Sequence, residues 1–319
     1  MAHYLGVDLG ASNVRAAVGD DEAAIVGHAR TQTPTTSGIE VTETVLDLAR
    51  AACAEAGVDP SEVVAGAVGS IGPLDLAEGL VDGPANLPDS VGQVPLVGPL
   101  SALIDGEVYL HNDTAAGVIG ERFFAERNPD DMVYLTISSG VGAGVAVDGR
   151  VIAGWDGNAG EVGHLKVDPA GRMVCGCGRA GHWEAYCSGE NIPRYTRELY
   201  AGEETSLPMD GDLTAADVYD HADGDDFAAR VVERVGEWNA MGVANVAVAY
   251  APLVVYVGGA VALNNPEKVL GPIRDQIADL TFVNVPEVRL SALGDDVVVK
   301  GALASAMTEG TGDRARLRR

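Results

Sequence analysis

Apolar and polar positions along this 319-residue chain follow two rhythms. Short apolar runs at Tyr4–Val7, Val14–Val18 and Ile25–Ala29 are separated by Gly10-Ala11-Ser12-Asn13 and by Gly19-Asp20-Asp21, which predicts three strands of an opening meander. Val41, Val45, Leu48 and Ala52 then recur at helical spacing. Their run stops at Gly57 with Pro60 beyond, the expected end of an amphipathic helix. Strands are predicted over Val63–Val68 and Val108–Leu110, and a helix from Ala115 to about Glu126. Asp113 therefore falls at a strand end just ahead of a helix.

A second meander follows. Met132–Ile137 is one strand, Ser138-Ser139-Gly140-Val141-Gly142 the turn, and Val145–Val147 the return before Asp148-Gly149. Downstream the pattern predicts a long helix from Phe227 to about Ala249, a buried strand Val254–Val257 ending at Gly258-Gly259, a helix Pro266–Leu280 and a last helix Gly301–Met307. Strands alternating with helices, opened twice by a similar strand-turn-strand unit, predict an α/β protein of two related lobes around a central cleft.

Charge changes this picture in one respect. The chain carries 47 acidic and 21 basic residues, a formal charge of −26, and three lysines (Lys166, Lys268, Lys300) against eighteen arginines. Such a balance opposes binding to nucleic acid or anionic lipid and resembles adaptation to high salt, where screening suppresses self-repulsion. Aliphatic residues are abundant, which argues against disorder outside a frayed basic tail at Arg314–Arg319. There is no leader-like start and no apolar run long enough for a membrane span, so a cytoplasmic, unprocessed protein is expected. Cys175, Cys177 and Cys187 lie close together in a glycine-rich stretch, which in such a chain suggests metal before disulfide.

The two glycine- and hydroxyl-rich turns carry candidate chemistry. A turn such as Gly10-Ala11-Ser12 or Ser138-Ser139-Gly140 lets backbone N–H groups and hydroxyls approach phosphate closely. Either one alone is accounted for by an ordinary β-turn. Two in matching positions, the first preceded by Asp8, point to a phosphate site in which Asp8 holds Mg²⁺ through water, a turn-capping carboxylate being the alternative at Asp8.

Four segments carry a resemblance: Asp8-Leu9-Gly10, His111-Asn112-Asp113, Ala159-Gly160-Glu161-Val162-Gly163-His164, and Cys175-Gly176-Cys177-Gly178-Arg179-Ala180-Gly181-His182-Trp183-Glu184-Ala185. Together with Pro84-Ala85-Asn86-Leu87 and the closing Gly301-Ala302, they make the chain similar, over nearly its whole length, to the ROK family of sugar kinases and repressors, within the actin-like ATPase superfamily. The resemblance implies an ATP-dependent kinase acting on a hexose, glucose by default, with Asp113 as the base that accepts the proton of the attacking hydroxyl; a kinase for another hexose or an N-acetylhexosamine, or a non-catalytic sugar sensor, is the alternative. On residue chemistry alone, a helix N-cap at Asp113 would be the alternative.

By the same resemblance Gly72, Asn86, Asn112, Glu161, His164 and Glu184 border or bind the sugar. ATP would be met by Asp8, Gly10, Ser12, Asn13, Ser138, Ser139, Gly140 and Gly142, with Gly258 and Gly259 against adenine and ribose. A structural zinc would be held by His164, Cys175, Cys177 and position 182, where the family has cysteine and this chain has His182; Cys187 is the other possible fourth ligand. One nitrogen of His164 would serve the metal and the other a sugar hydroxyl.

Departures from the family pattern fall at the phosphate turns. Asn13 stands where the family has lysine, and Ser138-Ser139-Gly140 where it has Gly-Thr-Gly. The expected lobes are residues 1–113, with a helix at about 300–312 packing back on them, and residues 114–299, which carry the zinc loop and the adenosine site. A repressor of the same family would need a helix-turn-helix ahead of Tyr4, for which no room is expected; a homodimer is implied by the resemblance.

Overall fold

The apolar stripe around Val41–Ala52 is a helix in the computed structural model, which describes residues 2–84, 86–155 and 157–317. Ser37 starts it by accepting from the Glu40 amide, and Gly57, at φ 71°, ends it by donating to the Ala54 carbonyl. In chain order the first elements are β1 (His3–Leu9), β2 (Asn13–Gly19), β3 (Ile25–Gln32), α1 (Gly38–Ala56), β4 (Val63–Ser70), β5 (Leu74–Asp75), β6 (Leu80–Asp82) and β7 (Gln93–Pro95). Next come α2 (Val97–Ile104), β8 (Glu107–Asn112), α3 (Asp113–Phe124), β9 (Met132–Ile137), β10 (Val141–Val147), β11 (Arg150–Val151), α4 (Glu184–Cys187) and α5 (Ile192–Leu199). The rest are α6 (Ala215–His221), α7 (Asp226–Tyr250), β12 (Val254–Gly258), α8 (Ala260–Asn264), α9 (Pro266–Leu280), β13 (Glu287–Leu290) and α10 (Val297–Met307). The protein has an α/β fold.

The chain divides into two units, the first being Met1–Asp130, Gly144–Gly160 and Asp295–Arg319. Its five-stranded sheet has the order β3-β2-β1-β4-β8, antiparallel through β3, β2 and β1 and parallel through β1, β4 and β8. Strand alternation sends Leu5, Val7 and Leu9 into one core with Val41, Val45, Leu100 and Ile104 of α1 and α2. The opposite face puts Tyr4, Ala17, Ala65 and Ala67 against Ile119 of α3 and Val299, Ala302 and Leu303 of α10. Glycine is required where these layers meet: a Cβ on Gly301 would overlap the Ala116 carbonyl oxygen of α3.

This packing moves the expected boundary. α3 and residues 144–160 group with the first unit instead of parting from it at residue 113, because α3 is clamped on α10, and α10 begins at Val297, four residues before the predicted helix. The basic tail is also more ordered than expected. Arg314–Arg316 form a 3₁₀ turn capped by Asp313, with Arg314 donating to the Glu126 carbonyl at 2.9 Å, while Arg318, Arg319 and Ala85 lie outside the described residues.

The second unit is Asp131–Ala143 and Glu161–Gly294. Here β9, β12 and β13 run parallel in that order, and β10 leaves β9 through the turn at Ser138–Gly140. The long helix α7 is capped by Asp225, which accepts from the Phe227 and Ala228 amides. Among the described residues no helix is long and apolar enough to cross a membrane.

Candidate active site

The first glycine- and hydroxyl-rich turn closes where β1 passes into β2. Gly10 donates to the Asn13 carbonyl at 2.9 Å, and Thr33 ties the turn from outside, its amide to the Ser12 carbonyl and its hydroxyl to the Gly10 carbonyl at 2.7 Å. Ser12 and Asn13 are exposed, so hydroxyl and amide side chains face solvent. Asp8, two residues before Gly10, is buried. Its Oδ2 accepts from Arg15 Nε at 2.8 Å and Nη2 at 2.5 Å. Burial pushes the Asp8 carboxyl above its usual range, and Arg15 works against that rise.

Asp113 is the first residue of α3, and the capping role belongs to its neighbour. Asn112 Oδ1 accepts from the Thr114 amide at 2.9 Å and the Thr114 hydroxyl at 2.7 Å; Asp113 Oδ1 also accepts from the Thr114 amide. Gly72 lies beside this pair, since a Cβ on it would sit 3.8 Å from Asn112 Nδ2. Asn112 also lines a cavity of ≈520 Å³ shared with Leu74, His111, Gly157 and Arg316. His111 is held by Ser305 at 2.7 Å, and burial lowers its imidazole to about 4. Asn86 is exposed on its turn.

In the second unit the turn Ser138–Gly140 is buttressed rather than free. Gly189 donates to the Ser138 carbonyl at 2.7 Å, Glu190 to that of Ser139, and Ser138 to that of Gly140, leaving Ser139 exposed. Glu184 Oε2 accepts from the Val141 amide at 3.1 Å, and a Cβ on Gly140 would stand 2.8 Å from the same oxygen. Gly142 is already in β10. Gly258 and Gly259 owe their identity to β9. A Cβ on Gly258 would meet the Tyr134 ring, and one on Gly259, which has φ 84°, would meet the Ile137 carbonyl.

His164, Cys175, Cys177 and His182 converge, their ligand atoms all lying within 4.8 Å of one another. His164 Nδ1 is 3.7 Å from Cys175 Sγ and His182 Nδ1 is 3.3 Å from Cys177 Sγ, spacings that suit two nitrogens and two sulfurs around one tetrahedral zinc. The other nitrogen of His164 points to Glu161, with Nε2 3.6 Å from a carboxylate oxygen. Cys187 is not part of this cluster: it is fully buried and donates to the Val235 carbonyl at 3.5 Å, and burial pushes its thiol well above the ordinary value. Burial raises the Cys175 thiol to about 12, whereas hydrogen bonding from the Arg179 backbone lowers that of Cys177. Cys175 also donates to Glu184 Oε1 at 3.4 Å, so one carboxylate joins the His–Cys cluster to the turn at Val141. Trp183, next to His182, is fully buried; its Nε1 donates to Asn239 Oδ1 of α7, and its indole lies over Gly242.

The sequence profile of the ROK family matches residues 4–309. The chain belongs to the ROK family. It is 37% identical over 309 residues to a glucokinase of Pyrobaculum calidifontis, covering 96% of this chain and 95% of that one. Among solved structures, the ROK hexokinase from Thermus thermophilus superposes with a TM-score of 0.82 at 30% identity, covering 96% of this chain and 98% of that one. A ROK family glucokinase from Streptomyces griseus in complex with glucose and AMPPNP gives 0.72 at 29% identity, covering 96% and 99%.

Sequence reasoning about this ROK protein missed three residues at the first turn: Arg15, Arg30 and Thr33. The signal lay in the meander itself. Once the turn is centred between Gly10 and Asn13, Asp8 must face Arg15, and the next turn sets Arg15 opposite Arg30.

Proposed function

We propose that this protein phosphorylates glucose, with Asp113 as general base. The chain is an ATP-dependent sugar kinase of the ROK family. The glucose reading is carried by its near full-length likeness to a glucokinase. Phosphoryl transfer depends mainly on positioning and charge neutralisation, and a carboxylate at the start of a helix, held by the Asn112 cap, suits proton acceptance from the attacking hydroxyl.

Around that base, Gly72, Asn86, Asn112, Glu161, His164 and Glu184 would take or border the sugar hydroxyls. His164 presents Nε2 for this role while Nδ1 faces the cysteines. Gly10, Ser12, Asn13, Ser138, Ser139, Gly140 and Gly142 would meet the phosphates, and Gly258 and Gly259 the adenosine. A magnesium ion held through water on the buried Asp8 would neutralise phosphate charge. Zinc on His164, Cys175, Cys177 and His182 would be structural, its four positions filled by protein. The acidic, lysine-poor composition supports work at high salt without nucleic acid, the lack of a leader-like start and of a long apolar run supports a cytoplasmic location, and the family resemblance supports a homodimer.

The test is ADP release from Mg²⁺-ATP in molar KCl across glucose, mannose, fructose, N-acetylglucosamine and N-acetylmannosamine. Highest kcat/KM with glucose is expected; a clear preference for another sugar would replace the substrate while leaving the kinase.

A further inference from the structure

We propose that Arg30 is a phosphate-binding residue, the cation that holds the terminal phosphates of the nucleotide; the inference rests on the kinase reading above. Asp8 of β1 lies directly opposite Arg15 of β2, and Arg15 lies directly opposite Arg30 of β3. Directly opposed residues share a face of the sheet, so the three side chains form one transverse row at the strand ends beside the Gly10–Asn13 turn. On the far side of Asp8 the row continues into Gly69, which has no side chain to offer and whose place is filled by Val298 and Ala116.

The turn and the row line a cavity of ≈390 Å³, with Asp295 at its rim. The charges in it are unequally committed. Arg15 is spent within the protein: it donates twice to Asp8, once to the Asp295 carbonyl at 2.5 Å, and reaches Asp296 at 3.4 Å. The turn Gly10-Ala11-Ser12-Asn13 contains no charge of its own. Arg30 is exposed, lines the same cavity, and has no side-chain hydrogen bond or ion pair among the described residues. In a chain of formal charge −26 it is the uncommitted cation of this cavity.

A guanidinium presents a planar fork that fits phosphate oxygens in pairs, and it stays charged at any working pH. Strand spacing sets Arg30 about 10 Å from Asp8 across the row. A phosphate chain with its magnesium ion fits that interval, with the metal side at Asp8 and the anionic side at Arg30. Arg15 then acts as a positioning residue, holding the Asp8 carboxylate in place.

The experiment uses the full chain and its Arg30→Gln and Arg30→Lys variants, titrated calorimetrically with adenosine, AMP, MgADP and MgATP, and assayed for turnover. Arg30→Gln should weaken MgADP and MgATP by about tenfold or more, the size of a lost charge-assisted hydrogen bond. Adenosine affinity and the sugar KM should stay within about twofold, and Arg30→Lys should recover part of the loss. Unchanged MgATP binding in a folded Arg30→Gln protein would overturn the proposal, as would an equal loss for adenosine. Should the wild type transfer phosphate to no sugar, the kinase reading falls, and the difference between adenosine and MgADP still decides the role of Arg30.

Discussion

Asn112 and Thr114 are joined twice, the Oδ1 of one accepting from both the amide and the hydroxyl of the other, at 2.9 and 2.7 Å. Asp113 lies between them. Its backbone is thereby fixed at the strand-to-helix junction, and the capping function that Asp113 could have served is already filled. Asp113 Oδ1 also accepts from the Thr114 amide, at 2.7 Å, and the proposed general-base role places its carboxylate at this fixed junction.

Asp113→Asn should therefore lower kcat by about 10²- to 10⁴-fold, the usual contribution of a positioned base. Sugar affinity, measured by calorimetry without ATP, should hold. A variant that turned over like the wild type would remove Asp113 as the base.

The metal cluster makes a second prediction. Elemental analysis should find one zinc per chain in the wild type and in Cys187→Ala, and little or none in His182→Ala, because the His182 ring faces Cys177 while Cys187 faces α7. Stripping the metal should also raise the sugar KM by about tenfold, since the proposed ion would orient His164. Loss of zinc from Cys187→Ala would reverse the ligand assignment.

Asp168 predicts a pH dependence of stability. Burial pushes its carboxyl up, but hydrogen bonds from the Tyr186 hydroxyl, the Arg172 and Ala170 amides and the Arg172 guanidinium outweigh burial and bring it down to about 2, from 3.8. A carboxyl depressed on folding stabilises fully above its unfolded value and loses that contribution as pH falls toward the folded one. Asp168→Asn should be less stable than wild type by about 2 kcal/mol at pH 7. In urea titrations the gap should close between pH 4 and pH 2.

Gly301→Ala should destabilise by about 1 to 3 kcal/mol, because the new methyl overlaps a backbone oxygen of α3 that cannot rotate away. A lowered melting temperature with normal kcat well below it is the expected result. A melting temperature equal to that of wild type would mean that α3 and α10 can separate at no cost.

Much of this was readable from local pattern. α1 follows from four apolar residues at helical spacing and a glycine free to adopt positive φ, and α7 and α9 from the same rhythm. The family resemblance named His164, Cys175, Cys177 and His182 together, and their ligand atoms do converge. The unread features are non-local. That Arg15 would engage Asp8 depends on hairpin register, and that α3 would join the first unit depends on a contact between residues 116 and 301. That Cys187 would lie outside the His–Cys cluster turns on which way one short helix faces, and α4 spans only Glu184–Cys187, too short for a period to be read. β5–β7 and the helices α5 and α6 were unassigned for the same reason.

The indole of Trp183 has a consequence for transplanting the metal loop. It is keyed to α7 by a hydrogen bond to Asn239 and by the bare backbone at Gly242, where any side chain would strike the ring. Positions 175–184 are thus half of a module whose other half lies some sixty residues downstream. A chimera that exchanges the loop alone would leave its anchor without a socket, whereas one that carries positions 239 and 242 with it keeps the two halves matched.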